Sequence, residues 1–116
     1  MTLKFRLTDD LTFEIFNENS DTWEDISVTE TFYLLELIYI GFRDDLESDN
    51  FDLIEAKYTE DGNPYMVIMT WQNGAWTYYK YTGTDDSWEG IEFDEPKPVQ
   101  VEPVKVEKTE WRTVST

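Results

Sequence analysis

The chain has 116 residues, with 26 acidic and 9 basic side chains, a formal charge of −17, and neither Cys nor His. Those absences exclude a disulfide framework, a Cys/His zinc site, and catalysis by a His base or a Cys nucleophile. Scarce Lys and Arg argue against direct nucleic-acid binding, which needs clustered cations against phosphate. Aromatics are 16% of the chain and Leu, Ile, Val and Phe a further large share, enough for the core of one domain rather than a disordered chain.

In chain order, Met1 to Leu7 alternates apolar and basic residues before Thr8-Asp9-Asp10, so it reads as a strand and lacks the apolar run of a secretory signal. The longest apolar stretch, Phe32 to Phe42, is broken by Glu36 and Gly41 and is too short to span a membrane. A soluble, cytoplasmic protein is expected, consistent with the lack of Cys. Thr2 to Leu7 and Leu11 to Phe16 should form a hairpin. A three-residue loop would pair Leu7 with Leu11, Phe5 with Phe13 and Lys4 with Glu14, with Asp10 left-handed. A two-residue loop would set Phe5 against Glu14 and is rejected.

An acidic loop leads to Ser27-Val28-Thr29-Glu30, which has the spacing of a helical capping box with Ser27 as N-cap. Val28, Phe32, Leu35, Tyr39, Phe42 and Leu46 then recur as one helical stripe, predicting a helix that ends before Asp49-Asn50 and is weakened at Gly41. Tyr33, Leu37 and Ile40 lie on its far side. Either a second layer, from the N-terminal hairpin or the tail, covers them, or a second copy of the chain does, as a homodimer.

Phe51 to Tyr58, Tyr65 to Trp71 and Ala75 to Tyr81 read as a three-stranded meander, because Asp61-Gly62 and Asn73-Gly74 are strong hairpin signals. These turns set Trp71 opposite Trp76, Ile68 opposite Tyr79, Tyr58 opposite Tyr65 and Ala56 opposite Val67. One face then carries Ile54, Ala56, Tyr58, Tyr65, Val67, Met69, Trp71, Trp76 and Tyr78, and is assigned to the helix. Trp88 to Phe93 adds a short last strand. The expected fold is α+β: an antiparallel sheet of five to six strands in ββαβββ order, with one main helix on one face.

The acidity is unevenly placed. Residues 1–95 carry 23 acids and 5 bases, net −18, whereas residues 96–116 carry 3 acids and 4 bases, net +1. Hence 1–95 is read as a single acidic domain. The segment 96–116, rich in Pro and Val, is read as an extended C-terminal tail, polyproline-like or laid along an edge, with Trp111 as an anchor. Asp9 to Asp25 holds seven acids and no base, Asp44 to Asp61 eight acids and only Lys57, and Asp85 to Glu95 six acids and no base. A charge magnitude of about 2–8 suffices for a small soluble domain, and any excess costs stability through self-repulsion. The surplus therefore calls for a use.

Enzymatic and cofactor chemistry find little support. Asp45-Leu46-Glu47-Ser48-Asp49 has alternating carboxylates, but a calcium loop would need Gly at Asn50 and Glu at Ala56. The glycines are isolated turn residues and form no phosphate loop. With so many acids a close pair needs no glycosidase to explain it, and Trp and Tyr on a sheet are ordinary packing residues rather than a sugar platform. No catalytic residue, metal or cofactor is expected.

Fixed carboxylates can form with Arg and Lys the charge-assisted bonds that phosphates form. The candidate partner-binding residues are Asp9, Asp10, Asp21, Glu24, Asp25, Asp44, Asp45, Glu47, Asp49, Asp85, Asp86 and Glu89, each a phosphate surrogate. In length, acidity and lack of catalytic side chains, residues 1–95 resemble the small DNA-mimic inhibitors that phages and mobile elements direct against host nucleases, including anti-restriction and anti-CRISPR proteins. That resemblance is one of composition, without a shared motif. It implies a non-enzymatic inhibitor of a basic nucleic-acid-binding protein or nuclease, acting in the cytoplasm of a bacterial host cell. Alternatives are an immunity-type protein against a basic nuclease toxin, a structural or assembly protein of a phage, and a sugar-binding module.

Overall fold

The computed structural model of the chain describes residues 3–41, 45–86, 88, 90–93, 98–104 and 110–114. It is α+β, with one helix and mostly antiparallel strands, but the strands form two sheets rather than one. In chain order the elements are β1 (Leu3–Leu7), β2 (Phe13–Asn17), β3 (Thr22–Ile26), α1 (Val28–Tyr39), β4 (Leu46–Ser48), β5 (Asp52–Tyr58), β6 (Pro64–Gln72), β7 (Ala75–Asp86), β8 (Gly90–Phe93), β9 (Val99–Val104) and β10 (Glu110–Thr113). The first sheet has the order β3-β2-β1-β4, with β4 parallel to β1. The second has the order β10-β9-β7-β6-β5, with β8 also paired to β7.

The N-terminal hairpin forms, but its register is two residues from the one expected: Phe5 faces Ile15, Arg6 faces Glu14 and Leu7 faces Phe13. A slip of two keeps every side chain on its predicted face. The loop is longer because Leu11, not Asp10, takes the left-handed conformation (φ 65°). Thr8 accepts from the Leu11 N–H at its carbonyl and from the Thr12 N–H at its hydroxyl. The β5–β6 loop repeats this arrangement. Thr59 accepts from Gly62 and Asn63 in the same two ways, and Gly62 (φ 86°) holds the left-handed position that glycine adopts without strain.

That loop accounts for a correction. A two-residue Asp61-Gly62 turn would pair Tyr58 with Tyr65, whereas the longer loop pairs Tyr58 with Pro64 and Ala56 with Met66. Shifting β6 by one residue exchanges its faces. Met66 and Ile68 therefore meet the core beside Ala56, Tyr79 and Tyr81, while Tyr65, Val67, Met69 and Trp71 occupy the other side. A bulge between Leu53 and Glu55 absorbs a further irregularity. The Asn73-Gly74 turn behaves as expected: both residues have positive φ, and Trp71 opposes Trp76 and Ile68 opposes Tyr79.

Helix α1 starts at the predicted cap, where the Ser27 hydroxyl accepts from the Glu30 N–H at 3.1 Å. It stops earlier than its apolar stripe suggests. Gly41 turns left-handed (φ 81°) directly after the Ile40 cap. Phe32 and Leu35 are fully buried as expected, whereas Leu46 belongs to β4; Phe42 lies outside the described residues. Thr22–Ile26, read above as acidic loop, is the edge strand β3.

One core joins these parts. Phe5, Leu7 and Phe13 come from the first sheet, Phe32 and Leu35 from the helix, and Ala56, Met66, Ile68, Tyr79 and Tyr81 from the second sheet. Phe13 stands at the junction, its ring centroid 5.5 Å from that of Phe51 and 5.2 Å from that of Tyr81.

Strands β9 and β10 are laid along the second sheet. Val99 to Val101 pair with Lys80 to Tyr78, and this pairing ends before Pro103, so the missing proline N–H breaks no ladder bond to β7. In a flat sheet β10 would lie roughly 19 Å from β5, four strand spacings away. Instead the Trp111 indole donates to the Glu55 carboxylate at 2.8 Å and packs on Tyr78, so the sheet curls over its own second face. Val67 and Val101 are buried beneath that curl.

Asn50 ties the two sheets together. Its side chain accepts from the Leu7 N–H at 2.7 Å and donates to the Leu7 carbonyl at 2.8 Å, while its own carbonyl accepts from the Thr70 hydroxyl at 2.7 Å. Asn50→Ala removes both Leu7 bonds and is expected to destabilise the fold by about 1–3 kcal/mol in urea unfolding. Unchanged stability would show that water replaces the clasp at no cost.

Candidate functional site

The site is built on the segment from Asp45 to Asp52, which carries four carboxylates. Backbone bonds hold it against β1: the Asp45 carbonyl accepts from the Leu3 N–H at 2.7 Å, and the Asp49 N–H donates to the Phe5 carbonyl at 2.8 Å. Asn50 then continues that ladder with its side chain, and Phe51 is buried against Phe13. Glu47 and Asp49 are exposed on one side of the strand, spaced about 6.6 Å apart as alternate strand residues are. Asp52 is exposed at the start of β5. Glu47 and Asp52 are thus placed by strands, and Asp45 and Asp49 by backbone bonds to β1.

On one flank of this segment lies the outer face of the first sheet. Arg6 donates from Nε to Glu14 at 2.7 Å and sets its guanidinium 4.4 Å from the centroid of the Trp23 ring, which itself packs on Phe16. Lys4 lies 3.8 Å from Glu47. A depression of about 270 Å³ runs between Lys4, Trp23 and Glu47 to Asp49.

On the other flank stands the tip of the β6–β7 hairpin. Trp71 and Trp76 form a T-shaped cross-strand pair, centroids 5.1 Å apart and planes at 78°, and remain 58% and 55% exposed. One depression of about 320 Å³ separates them from Asp49 and Asp52. A second, of about 360 Å³, lies between Trp71 and Asp9. Because these hollows share Asp49, Asn50 and Trp71, the surface from Trp23 to Trp76 is continuous.

Of the sequence-selected acids, Asp9, Glu47 and Asp49 meet on this surface, with Asp10 next to Asp9 in its exposed loop and Asp45 half-buried at the start of the segment. Asp25 is exposed on β3 opposite Glu14. Glu24 alternates with Trp23 onto the other face of β3 and accepts from Asn17 at 3.1 Å, and Asp21 is exposed in the turn before β3. Asp85 is exposed far along β7. Asp86 is placed by its backbone alone at the end of β7, and Asp44 and Glu89 lie outside the described residues. The three acidic blocks therefore do not merge into one patch.

Trp23, Asn50, Asp52, Trp71 and Trp76 belong to the site although sequence reasoning did not select them. The Asn73-Gly74 turn already signalled the Trp71–Trp76 pair, but the misassigned register placed it against the helix. Nothing local announced the Asn50 clasp, which spans 43 residues.

The sign of the field is set by where the cations go. Each described Lys and Arg is engaged within the chain: Lys4 with Glu47, Arg6 with Glu14 and Trp23, Lys57 with Glu55, Lys80 over the Tyr65 ring at 4.8 Å, and Arg112 with Glu102. Among the described residues, no group of three or more His, Cys, Asp or Glu side chains is arranged to hold a metal. No described helix is long and apolar enough to cross a membrane. No protein-family model, curated protein or solved structure matches the chain.

A second acidic and aromatic cluster surrounds α1. Burial raises the pKa of Glu36; burial, and then the nearby Glu36 carboxylate, raise that of Tyr58. A raised carboxyl pKa means that folded Glu36 binds its proton more tightly than the unfolded chain does. Its ionised form thus costs stability at neutral pH, a cost relieved as pH falls through its titration. Glu36→Gln should raise the melting temperature at pH 7, with the gap to the parent closing toward acidic pH. A variant that melts lower at pH 7 would refute this.

Proposed function

We propose that the chain is a non-enzymatic inhibitor that presents a DNA-like acidic surface to the nucleic-acid groove of a basic protein, such as a nuclease of a bacterial CRISPR or restriction defence. The observation that carries this reading is that each described cation is engaged elsewhere in the chain, so the exposed carboxylates of Asp9, Asp49 and Asp52 have no ion-pair partner among the described residues. The excess of 26 acids over 9 bases supports it as well.

Rigidity adds to the effect. The backbone bond from Asp49 to β1 and the neighbouring Asn50 clasp fix the chain at Asp49, so less conformational freedom is lost there on binding and more of the electrostatic attraction survives as affinity. Such a field also speeds encounter with a basic partner, in a salt-dependent way. The aromatic flanks supply short-range contacts of the kind that dominate interface energies.

Competition against labelled duplex DNA on a panel of basic nucleases tests the reading. Displacement is expected, and direct binding of the chain to the nuclease should weaken between ~50 and 200 mM salt as the charge contacts are screened. The isosteric variant Asp9→Asn/Asp49→Asn/Asp52→Asn should compete at least about tenfold less well, given that hydrogen bonds to charged groups contribute about 1.5–3 kcal/mol each. No displacement across the panel, or undiminished competition by the folded variant, would overturn the proposal.

A further inference from the structure

We infer that the Trp71–Trp76 hairpin tip is a receptor for arginine side chains of the partner, selecting guanidinium over ammonium. This rests on the inhibitory reading above and names the chemistry that would anchor it.

Two indoles, each more than half exposed and in contact with one another, make an apolar patch that the chain itself does not cover. With more than half of each side chain exposed, indole surface is left for a partner to cover. Indole is the best aromatic partner for a cation. Within the adjoining hollows stand Asp49 and Asp52 on one side of Trp71 and Asp9 on the other, so the occupant complementary in charge is cationic.

The chain contains a worked example of the same recognition. Arg6 lies over the Trp23 ring at 4.4 Å while its Nε donates to Glu14 at 2.7 Å, a guanidinium held between an indole face and a carboxylate. At the hairpin tip the indoles and the carboxylates are present, and among the described residues no cation pairs with them, which leaves that part for a partner to supply. Arginine suits this better than lysine, because a planar guanidinium stacks on an indole while its N–H groups bond a carboxylate, which a compact ammonium cannot do at once. A sugar ring, the competing occupant, can also stack on an indole face but carries no charge to meet Asp9, Asp49 and Asp52.

Calorimetric titration with oligoarginine and oligolysine peptides of equal length tests the inference. The arginine peptide should bind at least about fivefold more tightly than the lysine peptide, on the scale of a partly desolvated cation–π contact. Trp71→Ala/Trp76→Ala should abolish that preference while leaving the lysine peptide's affinity unchanged. Trp71→Phe/Trp76→Phe, which retains the cross-strand packing, should show a reduced preference even if the alanine variant fails to fold. Equal affinities for the two peptides in the parent chain would overturn the inference. So would a preference that survives both double substitutions, or glycan binding that depends on Trp71. DNA competition separates the two claims. A double-tryptophan variant that displaces DNA as the parent does sinks the arginine receptor and spares the inhibitor. A parent chain with the arginine preference but no displacement of DNA sinks the inhibitor.

Discussion

The architecture turns on the junction at Asn50 and Phe51. Here a polar clasp and an apolar plug work side by side: the Asn50 amide completes the backbone ladder of β1, and the Phe51 ring is buried against Phe13. Through Phe13, the first sheet also reaches Tyr81 of the second. The Tyr81 hydroxyl in turn donates to the Leu11 carbonyl at 2.8 Å, and its burial raises its pKa, keeping it a neutral donor. Without this junction, the carboxylates on either side of it would have no fixed position relative to the hairpin tip.

A body this acidic must fold against its own repulsion. The core responds by being aromatic: Phe5, Phe13, Phe32, Phe51, Tyr79, Tyr81 and Phe93 are all buried, and edge-on or tilted ring contacts join Phe13 to Phe51 and Tyr81, and Phe32 to Phe93. Each such pair adds about 0.5–1.5 kcal/mol beyond simple burial. The few cations do not form a surface of their own. Those described lie at the surface beside individual acids and rings, which trims local repulsion, while the excess of acids sets the sign of the field.

Much of the local structure was legible because it depends on near neighbours. The Ser27 cap, the start of α1 and the Asn73-Gly74 turn follow from sequence spacing alone, and the Trp71–Trp76 pairing follows from that turn. What could not be read depends on distant partners or on the choice between turns of similar composition. Asp61-Gly62 suits either a two-residue turn or the last positions of a longer loop, and the choice reverses β6. The short strand β4 is recognisable only by its parallel pairing with β1, a partner some forty residues earlier. β3 looked like loop because an exposed edge strand carries polar residues on both faces. For the site, the relevant composition was evident in the acidic blocks. Their spatial grouping was not, since Asp21 and Asp85 lie away from the segment at Asp49.

The central claim is that the acidic segment between the tryptophans, rather than the acidity as a whole, meets the partner. Amide hydrogen exchange measured on the complex with a basic protein from which the chain displaces DNA tests it most directly. The account predicts slowed exchange across residues 45–52 and at the β6–β7 hairpin tip, with the outer side of α1 unchanged. Protection confined to α1 and the far end of β7 would contradict it.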